Sequence, residues 1–256
     1  MQQADGKCAR RSRAVRFDIV EPVHGTASNT HFHLFGPVHL LILASVPVVA
    51  LLLAQASKRS RESARAIRYA LGTFLAVNEF VWDAYHLHSG GFRFPAGLPL
   101  QLCDATLWVT VLALFTLNPL AFEIAYFGGL GGAGMALLTP DLWAPLASYP
   151  TIYFFVAHGL VVACPLMLLW SRQARPRPGA PWRMFVALNA YAVVIGIFNA
   201  IFKTNYMYLC NKPASASILD LFGPWPLYLL PGEAAALAIF WLLWLPVRQY
   251  ASVKPH

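Results

Sequence analysis

Residues 151–170 read TIYFFVAHGLVVACPLMLLW and contain no Asp, Glu, Lys or Arg. A helix rises about 1.5 Å per residue, so twenty residues span about 30 Å, which is the thickness of the hydrocarbon core of a bilayer. A run of this length and composition predicts a helix that crosses a membrane.

The same pattern recurs along the chain and predicts an all-α, polytopic membrane protein with about seven transmembrane helices. The predicted spans are 34–54, 66–86, 98–118, 119–138, 151–170, 183–203 and 226–246. They form one membrane domain over residues 34–246, between a polar basic tail at 1–33 and a short tail at 247–256.

The composition agrees with a membrane location. Of 256 residues, 58% are apolar and only 12% are charged. A soluble domain of this size needs more charge on its surface, so a secreted globular enzyme and a nucleic-acid-binding domain are excluded. The net charge of +8 comes from basic residues that flank the apolar spans, and it therefore indicates topology and not a nucleic-acid partner.

Basic residues also predict the orientation. We call the membrane side of the amino terminus side A, and we call the opposite one side B. Side B receives most of the Lys and Arg residues that lie close to a span: Lys58, Arg59, Arg61, Arg65, Arg68, Arg172, Arg175, Arg177, Arg183, Arg248 and Lys254. The positive-inside rule then predicts that the amino terminus lies outside the cell and the carboxyl terminus in the cytoplasm. The five cations of the amino-terminal tail argue mildly for the reverse.

Polar residues gather in the side-A halves of the spans, whereas the side-B halves are mostly aliphatic and aromatic, with Glu123 as the exception. Because polar groups inside a bilayer usually face a cavity, we predict a polar chamber that opens toward side A. The alternative is that these residues form hydrogen bonds between helices and only hold the bundle together. The supporting residues of the predicted chamber are Glu79, Asp83, His86, Gln101, Asp104, Asn199, Asn205 and Glu233.

Two further residues of this half could carry chemistry. Cys103 lies about 7 Å and His158 about 10 Å below the side-A ends of their spans, so they share a depth on different helices. An imidazole beside a thiol can take its proton and create a nucleophile, and a nearby carboxylate such as Asp104 could orient the histidine. Two alternatives remain open: a cysteine that only packs, and a disulfide between Cys103 and Cys210.

Other functions remain open on the residues alone. Glu79, Asp83 and His86 recur at i, i+4 and i+7 on one helix face, where they could bind a metal in a membrane hydrolase or form a polar stripe. We favour the stripe and expect neither a metal nor another cofactor. A small-molecule transporter or binding protein is the competing non-enzymatic class.

The glycine-rich run GGLGGAG, residues 128–134, lies inside a predicted span. It lacks the Lys-Ser/Thr pair that a phosphate-binding loop requires. It therefore predicts close packing between helices.

Several motifs resemble those of the bacterial YwaF-like integral membrane proteins over about residues 34–246. They are LPLQLCD (98–104), FEIAYFGG (122–129), LTPDL (138–142), AHG (157–159) and TNYMYLCNKP (204–213) followed by LFGPWP (221–226). The eukaryotic relatives of that family include a transmembrane acyltransferase that acts on ether phospholipids through a cysteine and a histidine. The resemblance implies that Cys103 and His158 have these roles, and that a phospholipid or lysophospholipid of the membrane is the partner.

Overall fold

The computed structural model describes residues 32–89, 93–142, 144–212 and 221–251. The predicted amino-terminal tail, with its basic residues and Cys8, lies outside the described residues except for Phe32 and His33. The end of the chain, residues 252–256, also lies outside them.

Within these ranges the fold is entirely helical, as predicted. Seven long helices coincide with the seven predicted spans, and a short one follows them. They are α1 (Pro37–Ser57), α2 (Arg61–His88), α3 (Leu102–Thr116), α4 (Pro119–Leu138), α5 (Tyr149–Trp170), α6 (Ala180–Phe202), α7 (Leu229–Trp244) and α8 (Arg248–Ala251).

The helices differ in how well they suit a bilayer. Four of them, α1, α4, α5 and α6, are long and apolar enough to cross it. Two others, α3 and α7, are apolar but have only 15 and 16 residues. The remaining long helix, α2, has 28 residues and begins in a basic segment on side B. The helical membrane architecture is therefore confirmed, whereas the number of crossings stays a prediction.

Local sequence explains where several helices begin. The Ser60 hydroxyl accepts a hydrogen bond from Ser63 N at 2.9 Å and caps α2. The Asn118 side chain accepts from Leu120 N and Ala121 N at 2.9 and 3.0 Å, which allows α4 to begin at Pro119, two residues after the left-handed Leu117. The Asn118 cap produces a tight turn between α3 and α4.

The core is built mainly from α3, α4 and α5, and the glycine-rich run allows α4 and α5 to approach closely, as predicted. A Cβ atom on Gly129 would lie 2.6 Å from the carbonyl oxygen of Val161 on α5. At this point α4 widens into a π-helical segment, Gly129–Ala133, before it continues as an α-helix. The segment brings Ala133 into the side-A half of the bundle, where the candidate site lies.

Glu123, the polar exception in the side-B half, holds a loop onto the bundle. Its carboxylate is fully buried and accepts hydrogen bonds from Arg177 and Arg183 at 2.8 to 3.0 Å. The hydrogen bonds to Glu123 raise the pKa of Arg177. This ion cluster fixes the loop between α5 and α6 against α4. The presence of a carboxylate in the apolar side-B half therefore has a structural explanation.

The side-A ends of the helices are not level. Asn189 of α6 donates to Glu233 of α7 at 2.9 Å, and Trp182 contacts Trp241 further toward side B. From the Asn189–Glu233 contact, α6 continues toward side A for about 20 Å, whereas α7 continues for only about 6 Å. The start of α7 therefore lies about 14 Å deeper than the end of α6.

The segment before α3 is sunken in the same way. Its Leu100 carbonyl accepts a hydrogen bond from the Tyr191 hydroxyl at 3.0 Å. Tyr191 lies eleven residues, or about 16 Å, below the side-A end of α6. Non-helical backbone at this depth is tolerated only where it is buried in protein or lines a polar cavity.

The contact between α4 and α5 gives a test of the packing. We expect Gly129→Ala to destabilise the protein by about 1–3 kcal/mol, because the new methyl group would overlap a backbone carbonyl. Gly132→Ala is the matched control, since a Cβ atom there meets nothing within 4 Å. Thermal unfolding of both variants in detergent measures the difference. Equal melting temperatures would contradict this packing.

Candidate functional site

A cavity of about 280 Å³ lies in the side-A half of the bundle between α2, α3, α4 and α5. Its wall on α5 runs from Pro150, at the side-A end, to Val161, about 16 Å deeper. The lining residues are Trp82, Cys103, Asp104, Leu107, Ala133, Pro150, Tyr153, Phe154, Ala157, His158 and Val161. The cavity thus contains the predicted pair, Cys103 and His158, in an otherwise mostly apolar wall.

Cys103 is the second residue of α3, where the unpaired N–H groups and the helix dipole favour negative charge. Its thiol donates to Asp104 Oδ1, with 3.6 Å between sulfur and oxygen. The other oxygen of Asp104 accepts from Gln101 N at 2.9 Å and so caps the helix. Cys103 is free and Cys210 is disulfide-bonded, so the alternative of a Cys103–Cys210 disulfide is wrong.

His158 has a defined tautomer. Its Nδ1 lies 2.9 Å from the Phe154 carbonyl oxygen, which can only accept, so Nδ1 carries the proton. The neutral ring then keeps a lone pair on Nε2. The Phe154 ring lies against the imidazole, with 4.2 Å between the ring centroids. A backbone carbonyl therefore orients His158, in place of the carboxylate that the sequence suggested.

No hydrogen bond joins Cys103 to His158 within the region that the structure describes. The two side chains come from different helices and line the same cavity, and the thiol is bonded to Asp104 instead. A reacting group could therefore contact both residues at once.

Glu79 lies directly beside this cavity. It is 1% exposed and accepts a hydrogen bond from the Tyr153 hydroxyl. The Tyr153 ring stacks on Trp82, with 4.1 Å between centroids and 4° between planes. The lining residue Tyr153 thus joins the buried carboxylate to the wall of the cavity.

The remaining polar residues of α2 follow Glu79 toward side A. Asp83 and His86 interact electrostatically. The His86 and Trp82 rings form a T-shaped pair, with 4.2 Å between their centroids. Among the described residues, no group of three His, Cys, Asp or Glu side chains is arranged to hold a metal ion. The arrangement of Glu79, Asp83 and His86 therefore fits the polar stripe better than the ligand set.

Four other residues of the predicted chamber do not line the cavity, and their side chains form hydrogen bonds with other parts of the protein. Gln101 Oε1 accepts from Met207 N at 3.0 Å, although its amide Nε2 makes no hydrogen bond within the described part of the chain. Asn199 accepts from Thr204 and Tyr206 and donates to the Tyr206 carbonyl. These two side chains hold the loop that follows α6 in place.

The other two act within the same region. Asn205 accepts from Cys210 N and Asn211 N at 3.0 Å and donates to the Asn211 carbonyl, so both ends of its amide serve the loop. Glu233 accepts from Asn189 between α6 and α7, away from the cavity. Of these four residues, only Gln101 keeps a donor group without a partner in the described chain.

Sequence reasoning missed the aromatic part of the site. Tyr153 lies within an apolar run, and only its position on the same helix as His158, five residues before it, is a usable signal in the sequence. The Phe154 carbonyl that fixes His158 is a backbone group, which side-chain patterns cannot identify.

Together, the helices and the cavity define a polytopic membrane protein with a cysteine and a histidine in the wall of a mostly apolar cavity. The chain belongs to the TMEM164 family, a transmembrane family whose model matches residues 30–245. No curated protein and no solved structure matches it. The match covers nearly the same residues as the resemblance seen in the sequence, and it confirms the membrane location.

The contact between Tyr153 and Glu79 can be tested by removing one hydroxyl. We expect Tyr153→Phe to destabilise the protein by about 1–3 kcal/mol, since it leaves a buried carboxylate oxygen without its donor. Tyr149→Phe is the matched control on the same helix, because the Tyr149 hydroxyl is buried and has no hydrogen-bond partner among the described residues. Unfolding in detergent compares the two. A larger loss for Tyr149→Phe would contradict the assignment.

Proposed function

We propose that this protein is a lipid acyltransferase that uses Cys103 as its nucleophile and His158 as a proton-transfer group. The observation that supports this most strongly is that both side chains line one cavity in the side-A half of the membrane. A thiol and an imidazole with a free lone pair are the two groups that covalent acyl transfer needs. The resemblance to a lipid acyltransferase points to the same two residues.

The reaction has two stages. The Cys103 sulfur attacks the ester carbonyl of a phospholipid, the lysolipid leaves, and an acyl thioester remains on the protein. The hydroxyl of a second lysolipid then attacks the thioester, and the acyl chain moves to it; water in its place would give hydrolysis. The N–H groups at the start of α3, with the Gln101 amide, are the donors available for the oxyanion.

The surroundings of the cavity suit a lipid substrate. Its wall is largely aromatic and aliphatic, with Trp82, Leu107 and Phe154 beside the polar residues. An acyl chain can contact these side chains while its ester reaches the thiol. We therefore propose that the partner is a membrane phospholipid or lysophospholipid.

We also propose that side A faces the outside of a bacterial inner membrane. Most cations close to a span lie on side B, which the positive-inside rule assigns to the cytoplasm. The disulfide-bonded Cys210 lies in a side-A loop, and disulfides persist in oxidising compartments. The lipid substrate would then come from the outer leaflet.

Transfer of a labelled acyl chain tests this function. Membranes that contain the protein should move a deuterated acyl chain from phosphatidylcholine to an added alkyl lysophospholipid, as followed by mass spectrometry. We expect Cys103→Ser to reduce the transfer to the level of membranes without the protein, because a serine hydroxyl is a poor nucleophile without strong activation.

The matched control is Cys164→Ser, which changes a second free cysteine that is fully buried outside the cavity. It should retain transfer in proportion to the folded protein. Full transfer by Cys103→Ser would overturn the proposed function.

A further inference from the structure

The hydrogen bonds at the cavity assign different partners to the thiol and the imidazole. The Cys103 thiol donates to Asp104 and makes no hydrogen bond to His158. The proton of the nucleophile therefore already points to a carboxylate oxygen of the same helix, α3, which can accept it without a movement of that helix.

The Asp104 carboxylate is held in place for this role. Its Oδ2 is fixed by Gln101 N at 2.9 Å, which leaves Oδ1 toward the sulfur. Once the proton has moved, Asp104 is neutral, and the remaining negative charge is on a thiolate at the positive end of α3. During the formation of the thioester, the two groups thus never carry negative charge at the same time.

His158 has the geometry for a different proton. Its Nδ1 is occupied by the Phe154 carbonyl, so the only lone pair of the ring is on Nε2. It lies on α5, whereas the thiol and Asp104 lie on α3, and all three line the cavity. A lipid hydroxyl inside the cavity can approach Nε2 without displacing the bond between Cys103 and Asp104.

We infer that the proposed acyl transfer uses two bases, Asp104 for the formation of the thioester and His158 for its breakdown. In the first stage the thiol proton passes to Asp104, the C–S bond forms, the ester C–O bond breaks, and Asp104 returns the proton to the leaving lysolipid oxygen. In the second stage His158 takes the proton of the acceptor hydroxyl, the new ester bond forms, the C–S bond breaks, and His158 returns the proton to the thiolate. This inference rests on the proposed function.

The two stages can be separated experimentally. The full chain in detergent is mixed with deuterated phosphatidylcholine alone, and the acyl group on the Cys103 peptide is measured by mass spectrometry against time. An alkyl lysophospholipid is then added, and the loss of that acyl group is followed. The variants are Asp104→Asn and His158→Gln, with Glu62→Gln, an exposed carboxylate on side B, as the control.

Asn at position 104 can still accept from Gln101 N, but it presents an amide in place of the oxygen that receives the thiol proton. We expect Asp104→Asn to form the thioester about a hundredfold more slowly or worse. His158→Gln should form it at nearly the normal rate but transfer it about a hundredfold more slowly, so that acyl protein accumulates. A merely structural role for Asp104 would slow both stages together.

Three outcomes would overturn the inference. The first is that Asp104→Asn forms the thioester at the normal rate, and the second is that His158→Gln fails to form it. Either result would show that His158, and not Asp104, accepts the thiol proton. The third is that neither the wild-type protein nor Glu62→Gln forms an acyl adduct on Cys103, which would overturn the proposed function itself.

Discussion

The structure depends on one constraint, which is that backbone N–H and C=O groups inside a bilayer must find hydrogen-bond partners within the protein. Two of its apolar helices, α3 and α7, are too short to reach across the hydrocarbon core. The chain that leads into each of them therefore lies within the depth of the membrane without helical hydrogen bonds of its own.

Side chains from neighbouring elements supply the missing partners. The Tyr191 hydroxyl donates to the Leu100 carbonyl, and the Tyr206 hydroxyl donates to the Pro95 carbonyl at 2.8 Å. The Trp225 indole donates to the Leu209 carbonyl at 2.9 Å. Many polar side chains in the side-A half thus serve to hydrogen-bond the non-helical backbone. Their role is structural, as in the alternative in which polar residues only hold the bundle together.

The same constraint explains where the site can form. Because α3 begins below the membrane surface, the unpaired N–H groups of its first turn lie at depth, and Cys103 lies among them. The cavity next to this turn extends from Cys103 to Pro150, at the side-A end of α5. The π-helical segment of α4 contributes Ala133 to the opposite wall.

Sequence reasoning found much of this arrangement for physical reasons. Hydropathy over about twenty residues located all seven long helices, and depth along a helix brought Cys103 and His158 to one level. It could not separate Asn199 and Asn205, which bind loop backbone, from Asp104, which lines the cavity, because depth carries no information on rotation about the helix axis. It also placed Glu233 in the chamber, whereas its partner is Asn189 on α6.

The most direct measurement is the side of the membrane from which Cys103 can be reached. Sealed vesicles of each orientation are treated with a small, charged, membrane-impermeant thiosulfonate reagent, and the Cys103 peptide is quantified by mass spectrometry. We predict modification when side A faces the reagent and none when side B does, while the fully buried Cys164 stays unmodified from both sides. Modification of Cys103 from side B, or none from side A in protein that reacts once denatured, would contradict a buried site that opens on side A.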